Sequence, residues 1–145
     1  MKVSTRVEYG LVALTDIVIH GTNGESVSAP DISQRQNISH KYLEHILLLL
    51  RQAGFIKAQK GIRGGYALAV PAEKITLYDV LNALDKSILA EMETGEDDGL
   101  RSAVNECFWG KINHNLIAFT KNMKFSDFAT ACRDASSQNW DFYVI

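Results

Sequence analysis

Mostly α-helix, with one small β-hairpin and one long helix towards the C-terminus, is the fold class this sequence predicts. Three observations carry it. Apolar residues recur at three- and four-residue spacing over most of the chain. One glycine-rich stretch, KGIRGGYALAV at 60–70, parts two short strand-like runs. From Leu100 to about Asn122 the apolar positions keep helical spacing for about six turns.

The elements follow in order. Ser4 or Thr5 is placed to cap a first helix with Tyr9, Ala13, Leu14, Ile17 and Val18 at helical spacing, and Gly21 ends it. Ala29-Pro30-Asp31 starts a short second helix reaching about Gln36, since proline is tolerated in a first turn. Asn37-Ile38 turns, and Ser39 caps a third helix with Tyr42, Leu43, Ile46, Leu47 and Leu50 on one face, ending at Ala53-Gly54. Phe55–Gln59 and Tyr66–Val70 read as two strands around the glycine-rich tip. Thr76 and Asp79 form a weak capping-box signal before Leu77, Val80, Leu81 and Leu84, because Glu or Gln is usual three residues on. Residues 91–99, EMETGEDDG, read as an exposed acidic loop. The long helix follows, then a short helix over Ser126–Arg133 and an irregular tail ending WDFYVI. This divides the chain into residues 1–85 and 86–145.

Helix, helix, turn, helix and hairpin in that order are the layout of a winged helix-turn-helix, whose third helix enters the major groove of DNA while the hairpin wing reaches neighbouring phosphates. The charge pattern agrees. The net charge of −2 conceals eight Lys/Arg against five Asp/Glu in residues 1–71, and seven against twelve in the remainder. Local charge is what a polyanion meets, because screening removes distant charge. A nucleotide-cradling loop is the other chemistry that wants glycines beside cations. It requires strand, glycines and then Lys-Ser/Thr opening a helix; here the cations come first and a strand-like run follows.

Two cysteines, Cys107 and Cys132, make neither a disulfide framework nor a zinc ribbon. The chain has no signal-peptide pattern and no apolar run long enough for a bilayer, so it reads as cytoplasmic and not membrane-bound. No catalytic constellation is visible, and an enzyme is not expected.

The motifs STRVEYGLVAL, YLE, RQAGFI, GIRGGY and ITLYDV, with a Trp-bearing long helix and the segment FSDF, occur in an order that resembles the winged-helix regulators of the IscR/NsrR/CymR type, the Rrf-two family. The likeness spans essentially the whole chain. It implies a homodimer in which the long helices cross, and a palindromic promoter site in double-stranded DNA. Carried onto this sequence, Ser39, Lys41 and Glu44 take base-reading or groove-facing places, and Arg51, Lys60, Gly61, Gly64 and Gly65 take backbone or wing places. The residues themselves add His40, which with Lys41, Glu44, His45 and Arg51 lies off the apolar stripe, and Arg63, the second cation of the wing tip. Gly64 and Gly65 would let the wing lie close to a duplex. Val104, Phe108, Trp109, Ile112, Leu116 and Phe119 are the expected dimer interface.

Sensing is where the sequence departs from its best-known relatives. Cluster-bearing members carry three cysteines between the ITLxDV helix and the long helix; this chain has none there, and Ala103 and Glu106 stand where such members place ligands before Trp109. No metal and no cofactor are therefore expected, Cys107 reads as a buried apolar thiol, and Glu8, His20 and His114 read as surface residues. The ending WDFYVI is similar to that of CymR-type repressors, which lack cluster cysteines and act with a cysteine-biosynthesis enzyme as corepressor. The expectation is thus a dimeric regulator, a repressor, of cysteine or sulfur metabolism, with Trp140–Tyr143 and the acidic loop 91–98 as docking elements. The alternatives are a winged-helix protein–protein module without DNA binding, or a redox or iron–sulfur regulator with atypical ligands.

Overall fold

The computed structural model describes residues 3–90 and 99–143, with side chains to residue 137. The acidic segment 91–98 and the side chains of Trp140–Tyr143 lie outside the described residues. Helix α1 (Thr5–His20) starts at Ser4, whose Oγ accepts the Val7 N–H at 3.3 Å. Helix α2 (Ala29–Gln36) starts at Ser28, with Pro30 in its first turn. Asn37 then adopts the left-handed conformation (φ 53°), which Asn tolerates better than most residues, and Ser33 Oγ donates to the Ile38 carbonyl to hold the turn. Helix α3 (His40–Gln52) and strands β1 (Ile56–Gln59) and β2 (Gly65–Leu68) complete the winged helix-turn-helix. The strands pair antiparallel with Ile56 opposite Leu68 and Gln59 opposite Gly65.

Helix α4 (Leu77–Leu84) forms the capping box in full. Thr76 Oγ1 accepts the Asp79 N–H at 3.1 Å, and Asp79 Oδ2 accepts the Thr76 N–H at 3.2 Å. Asp is short for this task, yet it reaches. The C-terminal part then returns to the same core. Leu77 N–H donates to the Met123 carbonyl and Phe125 N–H to the Ile75 carbonyl, which ties the corner before the last helix to the entry of α4. Lys121 lies 4.7 Å from the centre of the Tyr78 ring in the same joint. Phe125 is wholly buried in the cluster that also holds Leu14, Ile17, Ile32, Leu47 and Val80.

One sequence expectation here needs correction. The last helix, α7 (Phe125–Tyr143), runs on to Tyr143, so the backbone after Arg133 is helical and not an irregular tail. The long helix spans 99–122, as α5 (Gly99–Val104), one π-helical turn (Asn105–Trp109) and α6 (Gly110–Asn122). In the π turn the Gly110 N–H reaches the Asn105 carbonyl, five residues back. At about 100° per α-helical residue the apolar stripe would drift around the helix between Val104 and Leu116. A π turn advances less per residue and brings Phe108, Trp109, Ile112, Leu116 and Phe119 back towards the line of Val104.

Candidate nucleic-acid interface

Helix α3 is amphipathic, and its two faces have different work. Leu43, Ile46, Leu47 and Leu50 are wholly buried, each contributing about 1.5–3 kcal/mol of burial. The opposite face presents His40, Lys41, Glu44, His45 and Arg51 to solvent. Ser39 is the N-cap, its Oγ accepting the Tyr42 N–H at 3.3 Å, so its hydroxyl proton remains to donate outward. Leu48, 40% exposed, stands on the same outward face and was not singled out by the sequence reading. The signal was there: Leu48 falls outside the three- and four-residue spacing of the buried leucines.

Behind α3 an ion pair fixes the helix that precedes it. Asp16 of α1 has a fully buried side chain and accepts from Arg35 Nη2 at 2.8 Å, Arg35 Nε at 3.0 Å and Gln36 Nε2 at 2.7 Å. The fork of Arg35 grips both carboxylate oxygens. The hydrogen bond to Asp16 raises the Arg35 pKa above its ordinary value, against the opposing effect of burial. Arg35 is therefore not part of the free basic surface that the charge count suggested. It locks α2 onto α1, and α3 follows α2 through the Asn37 turn.

The wing is held as firmly. Val27, in the loop before α2, bridges Tyr66 with N–H to carbonyl bonds of 2.7 and 2.8 Å in both directions, so β2 is paired on both edges. Ser26 Oγ donates to the Arg63 carbonyl, and Gly64 N–H donates to the Gly61 carbonyl at 2.9 Å to close the tip. Gly61 has φ 117°, a conformation that favours glycine. Gly64 and Gly65 also have an internal reason to be glycine. A Cβ on Gly65 would lie 2.4 Å from the Val27 carbonyl oxygen, and one on Gly64 would lie 2.7 Å from that of Gln59. Lys60 and Arg63 project from this tip into solvent, and among the described residues no salt bridge involves either.

On the long helix the expected interface residues face outward in the single chain. Val104, Phe108, Trp109, Ile112 and Phe119 are each about half exposed, with Trp109 at 48% and Phe119 at 59%, and Leu116 is half-buried. The Phe108 and Trp109 rings meet at a tilt of 56°, with centres 4.8 Å apart. Leu116 and Phe119 also line a cleft of about 500 Å³ with Val7, Leu81 and Phe128. Cys107 is exposed, not the buried thiol that its spacing suggested, because nothing in the described chain covers this side of the π turn. Cys132 is half-buried beside a second cleft of about 300 Å³ lined by Thr15, His20 and Gln36, and burial pushes its thiol pKa up.

A buried core carrying an outward polar helix, with a pinned cationic wing beside it, defines a winged-helix DNA-binding protein. The family model described as "Iron-dependent Transcriptional regulator", Rrf2, matches residues 3–131, and the chain belongs to the Rrf2 family. It is 39% identical over 140 residues to protein rrf2 of Nitratidesulfovibrio vulgaris, covering 94% of this chain and 90% of that one. It is 35% identical over 134 residues to the HTH-type transcriptional regulator IscR of Cereibacter sphaeroides, covering 88% and 86%. Among solved structures it resembles CymR, the global cysteine regulator of B. subtilis, with TM-score 0.80 at 29% identity, covering 90% of this chain and 98% of that one. The corresponding values for T. potens IscR are 0.75, 27%, 93% and 90%. The protein is a DNA-binding transcriptional regulator, and among the described residues no helix is long and apolar enough to cross a membrane.

The iron in the family description can be tested against the donors present. A thiolate-held cluster takes four cysteines, or cysteines with histidine. This chain has two cysteines, one exposed on the π turn and one half-buried in the cleft against α1. Among the described residues no three His, Cys, Asp or Glu side chains gather to hold a metal ion. The residues do not fit a cysteine-ligated cluster.

Proposed function

We propose that the protein is a homodimeric repressor that reads a palindromic promoter site with α3 and the wing, without a family-type iron–sulfur cluster. The observation that carries this reading is the outward face of α3, with Lys41, Glu44 and Arg51 in solvent, next to a wing whose backbone is pinned while its cations Lys60 and Arg63 project into solvent. In this reading Ser39, His40, Lys41 and Glu44 meet base edges, while Arg51, Lys60 and Arg63 meet phosphates. The apolar stripe on the long helix supports a second copy as its cover. It continues into the cleft at Leu116 and Phe119, and five large apolar side chains in line are more than an ordinary monomer surface leaves open. Two tethered half-site readers act at high effective concentration, which suits a palindrome.

The likeness to CymR, the global cysteine regulator of B. subtilis, supports control of cysteine or sulfur metabolism. We propose in addition a cysteine-biosynthesis enzyme as corepressor, docking on the C-terminal half. Selection of bound duplexes from a random pool, with sedimentation of the same preparation, tests the core of the proposal. A two-fold symmetric consensus bound by two protomers is expected. Recovery of no consensus, with a protein that still captures the enzyme, would favour the protein–protein module.

A further inference from the structure

The wing tip carries a residue that neither the core nor the charge pattern explains. Ile62 is 108% exposed, more than in an extended peptide, and belongs to no apolar cluster among the described residues. A lone surface isoleucine would need no account; its position does. Turn tips ordinarily take Gly, Asn, Asp or Ser, and Ile62 stands between exposed Lys60 and Arg63. The turn beneath it is fixed by the Gly64–Gly61 bond, the Ser26 bond to the Arg63 carbonyl and the Val27–Tyr66 bridge. A β-branched side chain also has little rotamer freedom left to lose on contact.

We infer that Ile62 is an apolar wedge that enters the DNA minor groove beside each half-site and partly unstacks one base step. The inference rests on the DNA-binding reading above. The minor groove, about 6 Å wide, admits a single side chain but no helix. Apolar side chains inserted there open a base step and bend the duplex towards the major groove. Lys60 and Arg63, one on either side, are placed to hold the phosphates that flank the opening. Pyrimidine–purine steps, TA and CA/TG, unstack with least resistance, so the wedge confers a preference at a step that the helix does not touch.

The test uses the full-length protein and duplexes selected with it, carrying 2-aminopurine at the flanking step, whose fluorescence rises when stacking is lost. Wild type should enrich TA or CA/TG steps at a fixed distance from the half-site and brighten the probe severalfold. Ile62→Ala should lose both, and bind the best duplex about tenfold more weakly, the remnant of Ile burial after unstacking is met. Its salt slope should be unchanged, because the phosphate contacts remain. Ile62→Leu, still apolar, should keep most of the brightening. Wild-type binding with step preference and fluorescence unaltered in Ile62→Ala overturns the wedge alone. A wild type that binds no duplex overturns the DNA-binding reading, and the wedge with it.

Discussion

Removing either partner of the Asp16–Arg35 pair should destabilise the protein, but not equally. The Asp16 side chain is wholly buried, whereas that of Arg35 is 34% exposed. Arg35→Met leaves a buried carboxylate with only the Gln36 amide as donor. That is the case of a broken buried pair, costing about 3–5 kcal/mol. Asp16→Asn leaves a guanidinium that turns to water, and the amide oxygen still accepts one bond. Solvent screening discounts that loss to roughly 1–2 kcal/mol. Urea unfolding of both variants and the double variant gives the difference. Midpoints should fall in the order wild type, Asp16→Asn, Arg35→Met, with slopes unchanged if the unfolded state is unaltered. The double variant should be more stable than the sum of single losses predicts, because the second change removes the charge that the first stranded. A reversed order, or losses below about 0.5 kcal/mol for both, within the range of plain surface changes, would refute the lock.

Three further outcomes follow from the geometry. Arg63→Glu should weaken binding to all duplexes by a similar factor and lower the salt slope by about one or more per protomer; an effect confined to the preferred duplex would place Arg63 on a base instead. Ile112→Asp with Phe119→Asp should sediment as a folded monomer and bind a palindrome far more weakly, since both side chains are exposed in the single chain and cost its folding little; an intact dimer would mean that another surface joins the copies. At pH 7 Cys132 should alkylate more slowly in the folded protein than in denaturant, because burial raises its thiol pKa and leaves less thiolate; faster labelling in the native state, read by mass spectrometry, would contradict that.

The winged core was legible because each element announces its period and its ends. Ser4, Ser28, Ser39 and Thr76 all cap the helices they precede. The hairpin was legible from its glycines, although their reasons were not, since the clash of a Gly65 Cβ with Val27 depends on a residue 38 positions away. The π turn left no compositional mark, because a slipped hydrogen bond changes the phase of a stripe and not its residue types. The length of α7 was hidden by DASSQN, which has no apolar period to declare a helix. Cys107 was misplaced for a related reason: periodicity says which residues share a face but not what covers it. Asp16 could have been found, since a carboxylate between Ala13 and Ile17 on an apolar face requires a cation.

The candidate DNA-facing residues share one property that links the two ends of the chain. The elements that carry them are held from behind. α3 is set by its buried leucines and by α2, α2 by the Arg35–Asp16 fork, and the wing by Ser26 and Val27 in the loop that follows α1. α1 is thus the reference for both reading elements. Its other side meets α7, and Asp16 and Gln36 line the same cleft as Phe128 and Cys132. The carboxylate that orients α2 therefore shares a cleft with the C-terminal helix. Packed interiors resist local deformation, so the joint of α1 with α2 and α7 keeps the fork, and with it α2, in one place.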